Sequence, residues 1–229
     1  MKRLAIIPAR GGSKRLPRKN IREVAGRPMI AHAIACARNS GLFARVLVST
    51  EDPEIAAIAA AEGAEVDRRD PALADDRTGV VEVCRELLAR LEAAGDLPDL
   101  FCCLYATAVF LEPADLVAAE RRFHEPPMPE VVMGVSAFPL HPFKALEERD
   151  GLLLPVHPDR VLRKSTEYPR YLASNGTFYW ARSRRFLERP SFYVDRLAGH
   201  EIPYYRAIDI DTEEDYAFAR LVARGMLRS

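Results

Sequence analysis

The chain has 229 residues, 48% of them hydrophobic, and its 33 Lys and Arg balance 33 Asp and Glu. That length and composition support one well-cored domain over 1–229, while zero net charge argues against non-specific nucleic-acid binding, which needs a broad basic surface. No signal-like apolar segment and no run of membrane-spanning length is present, so a cytoplasmic location without a membrane partner is expected.

Residues 4–9, Leu-Ala-Ile-Ile-Pro-Ala, form a continuous apolar run, the mark of a strand covered on both faces. Pro28 suits a first helical position, and Met29, Ile30, Ala33, Ile34 and Ala37 line one face up to Gly41. Residues 46–48 read as a second strand ending at Ser49-Thr50. A second helix opens at Asp52-Pro53, runs through Ile55, Ile58 and Ala59, and stops at Gly63. Then come a helix over 79–94, a strand over 100–105, a helix after Pro113 and a strand over 131–135. Cys102 and Cys103 fall inside an apolar run; with Cys36 and Cys84 they lack the spacing of a zinc site or a disulfide framework. The alternation predicts an α/β fold, a mostly parallel sheet with helices on both faces.

The rhythm breaks over residues 138–173, which hold Pro139, Pro142, Pro155, Pro158 and Pro169. A structureless loop of that length does not suit a compact domain, so an irregular β-rich excursion is expected, either a lid or an arm packing on a second subunit. Residues 176–181 read as a further strand. The chain then passes through residues 204–208 and an acidic cluster into a helix from Thr212 to about Gly225.

Two constellations carry chemistry. Between Arg10 and Lys19, five of ten residues are cationic, and Gly11-Gly12-Ser13 lies among them. Glycines let backbone N–H groups approach phosphate oxygens while Arg and Lys neutralise their charge. The loop fits neither G-x-G-x-x-G nor the Walker pattern, and a solvated basic loop is the plain alternative. Its place at the carboxyl end of the first strand is where open α/β sheets bind ligands. The second constellation is Asp209-Ile210-Asp211-Thr212-Glu213-Glu214-Asp215. At a strand end Asp209 and Asp211 would point to one side and suit Mg²⁺ completed by substrate phosphates. Asp211 with Glu214 also has capping-box spacing, and both readings stand.

The opening run from Ile7 through Arg10-Gly11-Gly12-Ser13-Lys14 to Lys19-Asn20-Ile21 resembles the signature of the acylneuraminate cytidylyltransferases, which make CMP-activated nine-carbon acidic sugars. Val48-Ser49-Thr50-Glu51-Asp52, Leu73-Ala74-Asp75-Asp76 and the 209–215 cluster are similar to later motifs of that family, in order along the whole chain. Leu104-Tyr105-Ala106-Thr107-Ala108 and Phe178-Tyr179-Trp180 resemble the pseudaminic acid members. Asn175-Gly176 follows the form of the sialic and legionaminic acid members instead.

The resemblance implies a single Rossmann-like nucleotidyltransferase domain whose 138–173 excursion exchanges between subunits of a homodimer. It implies that Arg10, Ser13, Lys19 and Asn20 hold the triphosphate of CTP, in a loop that includes Ala9, Gly11 and Gly12. Arg69 and the loop through Asp76 would border the cytosine. Tyr105, Thr107, Lys144, Asn175 and Gly176 would line the sugar site, and Asp209 and Asp211 would bind Mg²⁺. Arg10, Lys19, Asn20, Asp209 and Asp211 make up the implied catalytic set. An exposed surface lysine is the other reading of Lys144.

Phe192 and Tyr193 are candidates for reaching the sugar's acyl groups across a dimer. His32 and His124 read as packing or surface residues, and His200 as lying near an exposed turn. No side chain stands out as a general base. The alternatives are a synthetase for N-acetylneuraminate, legionaminate or Kdo, a nucleotide-dependent dehydrogenase lacking its fingerprint, and a non-catalytic sugar-nucleotide binder.

Overall fold

A computed structural model describes residues 1–73 and 78–226. In chain order the elements are β1 (Arg3–Pro8), β2 (Glu23–Val24), β3 (Arg27–Pro28), α1 (Met29–Asn39), β4 (Arg45–Thr50), α2 (Pro53–Ala61), β5 (Glu65–Arg68), α3 (Val80–Ala93) and β6 (Leu100–Leu104). There follow α4 (Pro113–Arg121), β7 (Val131–Ala137), β8 (Leu146–Arg149), β9 (Leu152–Pro155), α5 (Pro158–Val161), β10 (Leu172–Arg182), α6 (Ser183–Glu188), β11 (Leu197–Glu201) and α7 (Glu213–Met226).

Seven strands form the central sheet in the order β11-β7-β10-β6-β1-β4-β5. β6, β1, β4 and β5 run parallel, β10 is antiparallel to both neighbours, and β11 is parallel to β7. Successive residues of β1 feed opposite faces. Ala5 and Ile7 pack with Ile30 and Ile34 of α1, Ile55 of α2 and Leu116 of α4. Leu4 and Ile6 pack with Cys84, Leu87 and Leu88 of α3 and Phe186 of α6. Both faces of the strand are dry, which is why its sequence is a continuous apolar run. All four cysteines are buried and free.

Local chemistry sets the helix ends. Asp52 caps α2, its Oδ1 accepting the N–H groups of Glu54 and Ile55 at 2.9 and 3.0 Å. α7 opens with a reciprocal box one residue later than the spacing implied. Thr212 Oγ1 accepts from the Asp215 N–H at 3.2 Å, and Asp215 Oδ2 accepts from the Thr212 N–H at 2.8 Å. Asp211 is thereby released from capping.

Three further expectations are corrected. Asp209 and Asp211 do not end a strand; a 3₁₀ turn over Tyr204–Arg206 leads into irregular backbone that carries them. His200 lies within strand β11, where its Nε2 stands 3.2 Å from Asp115 Oδ1. Strands β5 and β11 were not anticipated, and they are the two edges of the sheet.

Residues 138–173 are irregular, with β8 and β9 forming a separate two-stranded antiparallel hairpin. Phe143 is its only buried large apolar side chain among these described residues, caged by His141, His157, Tyr168 and Tyr171. Leu152, Leu153 and Leu154 of β9 are exposed. Among the described residues no helix is long and apolar enough to cross a membrane.

Candidate active site

Because β1, β4, β5 and β6 are parallel, their carboxyl ends open on one side of the sheet, the position at which such sheets bind ligands. A cavity of about 510 Å³ lies there, lined by Arg10, Ser13, Lys14, Arg15, Lys19 and Asn20 from the glycine-rich loop. Arg69 follows β5 into the wall, Tyr105 and Thr107 follow β6, and Asp211 closes the far side. The basic loop is held in place by one apolar residue. Leu16, fully buried, packs with Val24, Met29 and Ile210, and Ile210 stands between the two aspartates. One small core therefore pins the cationic loop and the acidic segment to each other. Asn20 adds a tie, its Nδ2 donating to the Arg10 carbonyl at 2.9 Å.

The charges meet across this cavity. Lys19 Nζ donates to Asp211 Oδ1 at 2.7 Å, and Arg15 pairs with the other carboxylate oxygen. Burial alone would raise the Asp211 carboxyl, but the hydrogen bond and charge of Lys19, with Arg15, hold it below the usual carboxylate range. Asp209 is pushed the other way, by desolvation first and then by the neighbouring Asp211 charge. It has no hydrogen bond or ion pair among the described residues, and it lines an adjoining cavity of about 390 Å³.

Among the described residues no group of three or more His, Cys, Asp or Glu could hold a metal unaided. Mg²⁺ does not require one, since it binds through one or two carboxylates and completes its shell with water and phosphate oxygens. Asp209, without a direct ion pair among the described residues and two residues from Asp211 at a cationic cavity, fits that ion.

The two glycines of the loop do different things. The Gly11 N–H donates to Glu51 Oε1 at 2.7 Å, and a Cβ at this position would overlap Oδ2 of Asp52, whose other carboxylate oxygen caps α2. Gly11 is thus required by close packing on the α2 cap. Gly12 is open on all sides, and Ala9 is a core residue bonded through its N–H to the Ser49 carbonyl. Arg69 is buried, donating from Nη2 to the Ser49 carbonyl at 2.5 Å and from Nε to Ser49 Oγ at 3.3 Å. Asp76 lies outside the described residues.

The residues assigned to the sugar are dispersed. Tyr105 and Thr107 reach the main cavity, and Tyr105 also lines a second cavity of about 400 Å³ with Tyr179, Phe192 and Tyr193 of the same chain. Tyr179 stacks on Phe192 with ring centres 4.6 Å apart, and burial raises the hydroxyls of Tyr105 and Tyr179 above the usual phenol range. Asn175 is committed to the protein, donating to Ser136 Oγ at 3.0 Å and accepting from Thr177 Oγ1 at 2.6 Å. Gly176, at φ 66°, turns β10 so that its α-carbon faces the Asp209 carboxylate; a Cβ there would lie 3.1 Å from Asp209 Cγ. Lys144 is exposed on the excursion and lines none of these three cavities.

Leu16, Ile210 and Glu51 were missed in the sequence. A lone leucine among cations and a lone isoleucine between aspartates were the available signals.

The cytidylyltransferase family model matches residues 4–223. The chain belongs to the cytidylyltransferase family. This cytidylyltransferase is 32% identical over 224 residues to the pseudaminic acid cytidylyltransferase of Campylobacter jejuni, covering 97% of this chain and 96% of that one. It is 34% identical over 223 residues to the CMP-N,N'-diacetyllegionaminic acid synthase of Legionella pneumophila, covering 95% and 94%. A solved CMP:2-keto-3-deoxy-manno-octonic acid synthetase with CTP superposes at a TM-score of 0.71 with 20% identity, over 100% of this chain and 99% of that one. That likeness is one of fold.

Proposed function

We propose that this cytidylyltransferase joins CTP to a nine-carbon acidic sugar, pseudaminic acid foremost, giving the CMP-sugar and pyrophosphate. The observation that carries the reading is the cavity at the strand ends where four cations of the loop, Arg10, Lys14, Arg15 and Lys19, meet Asp211. The anomeric C2 hydroxyl attacks the α-phosphorus of CTP, the new C2–O–P bond forms, the bond to the β-phosphate breaks and the hydroxyl proton is lost. In such transfers the protein chiefly positions reactants and offsets developing charge.

Arg10, Ser13, Lys19 and Asn20 hold the triphosphate, with Lys19 nearest the transferred group. Arg69 borders the cytosine. Tyr105 and Thr107 receive the sugar, and the aromatic cavity of Tyr179, Phe192 and Tyr193 suits its acyl substituents. Asp209 and Asp211 would hold Mg²⁺, which supplies charge neutralisation on the phosphates. A cytoplasmic location accords with the CTP consumed. The exposed leucines of β9 support a homodimer in which the excursion packs on a second copy and brings Lys144 to the partner's sugar site.

Calorimetry with CTP, followed by mass spectrometry of the product formed with Mg²⁺ and each nonulosonic acid, tests this. A CMP-sugar mass is expected with pseudaminic acid. CTP binding without product from any acid would remove the synthetase reading.

A further inference from the structure

Arg69 is only 7% exposed, yet its guanidinium forms no ion pair with a carboxylate among the described residues. Burying a cation without a contacting carboxylate is costly, so its surroundings, with the Glu51 and Asp67 charges nearby favouring it, must compensate. They do so through a hydrogen-bonded chain. Nη2 and Nε of Arg69 are taken by the main-chain oxygen and the hydroxyl of Ser49, at 2.5 and 3.3 Å. The Ser49 hydroxyl in turn donates to Asp67 Oδ2 at 2.8 Å. Asp67 Oδ1 accepts from Arg90 Nη2 at 2.7 Å, and Arg90 is braced by Glu86 on the same helix.

The direction of the chain is fixed by chemistry. An ionised carboxylate only accepts, so the Ser49 proton points at Asp67 and the hydroxyl lone pairs are left to Arg69. Ser49 and Asp67 are themselves buried. With Nε and one Nη2 hydrogen occupied, Nη1 and the second Nη2 hydrogen form the edge of Arg69 left without a partner among the described residues, in a side chain that lines the nucleotide cavity.

We infer that Asp67 and Ser49 are positioning residues that lock the Arg69 guanidinium so that its remaining N–H edge selects a cytosine over a uracil. This rests on the CTP reading above. Cytosine presents two adjacent acceptors, O2 and N3, to such a donor. Uracil carries a hydrogen on N3 and meets the same donor with another donor. A guanidinium free to swing could turn to either base, whereas a locked one cannot.

The test measures kcat and KM with CTP and with UTP for the wild type, Ser49→Ala, Asp67→Asn, Arg69→Lys and the Ser49→Ala/Arg69→Lys double variant. Losing the relay should raise KM for CTP about tenfold, with a smaller fall in kcat, and narrow the CTP-over-UTP preference by about as much. Asp67→Asn keeps the side-chain volume and should fall between, and it carries the test if Ser49→Ala does not fold. In the Arg69→Lys background, Ser49→Ala should have little further effect. Lower thermal stability with unchanged KM and unchanged base preference would overturn the relay alone. Failure of the wild type to bind CTP would instead overturn the reading on which it rests.

Discussion

Lys19 and Asp211 touch at 2.7 Å, while Asp209 beside them makes no direct ion pair among the described residues and feels Lys19 and Arg15 only at a distance. Removing each tests a different role. Lys19→Ala should lower kcat by about a hundredfold or more, the scale seen when a preorganised donor to developing charge is lost. Its melting temperature should change little, because a part-exposed ion pair contributes little to stability. Asp209→Asn should abolish Mg²⁺-dependent turnover while circular dichroism stays native. Wild-type rates in both variants would move the site elsewhere. Ile210 is the opposite kind of residue, fully buried and set in sequence between Asp209 and Asp211. Ile210→Ala should cost roughly 2–5 kcal/mol in urea unfolding by opening a cavity, and should loosen the register of both aspartates.

At the scale of elements, the strongest clamp on the acidic segment lies outside the cavity. Arg206, just ahead of Asp209, donates to Asp115 Oδ2 at 2.7 Å, and Asp115 also accepts from the Glu112 N–H at the start of α4. Burial would raise the Asp115 carboxyl, but His200, Arg206 and the Glu112 N–H outweigh it and hold it well below the usual range. A lowered folded-state pKa stabilises fully above the unfolded value, near 3.9, and this contribution is lost as pH falls toward the folded value. Asp115→Asn should therefore cost roughly 3–5 kcal/mol at pH 7 and flatten the stability–pH slope below about pH 4. An unchanged slope in urea titrations would show that the pair is not linked to folding.

The same scale explains what could be read in advance. β1, β4, β6 and β7 lie inside the sheet, so each carries an uninterrupted apolar stretch of three or more residues that stands out. β5 (Glu-Val-Asp-Arg) and β11 (Leu-Ala-Gly-His-Glu) are edges, where charged and small residues are tolerated and the apolar signal fades. The Arg10–Asn20 loop and the two aspartates were legible because their residue types announce charge chemistry. The alternation rule failed at Asp209 and Asp211 because no strand carries them. Leu16 and Ile210, which join the two halves of the site, are single apolar residues without a period, and only the folded chain reveals their contact.

For the molecule as a whole, the central sheet is covered on both faces, whereas the β8–β9 arm is not. Leu152, Leu153 and Leu154 are 68%, 62% and 45% exposed, with Leu162 at 92%, the apolar surface that the proposed second copy would cover. Sedimentation should give about twice the 25.7 kDa chain mass. Leu153→Glu should shift it toward the monomer, and a wild-type monomer at micromolar concentration would remove the arm's proposed role.

The measurement that bears most directly on the central claim is pyrophosphate release with Mg²⁺, each of the four nucleoside triphosphates and a panel of pseudaminic, legionaminic, N-acetylneuraminic and Kdo acids. Release confined to CTP with one acid, and abolished by chelation, is the predicted result. Equal release with every triphosphate, or none from protein that binds CTP, would contradict it.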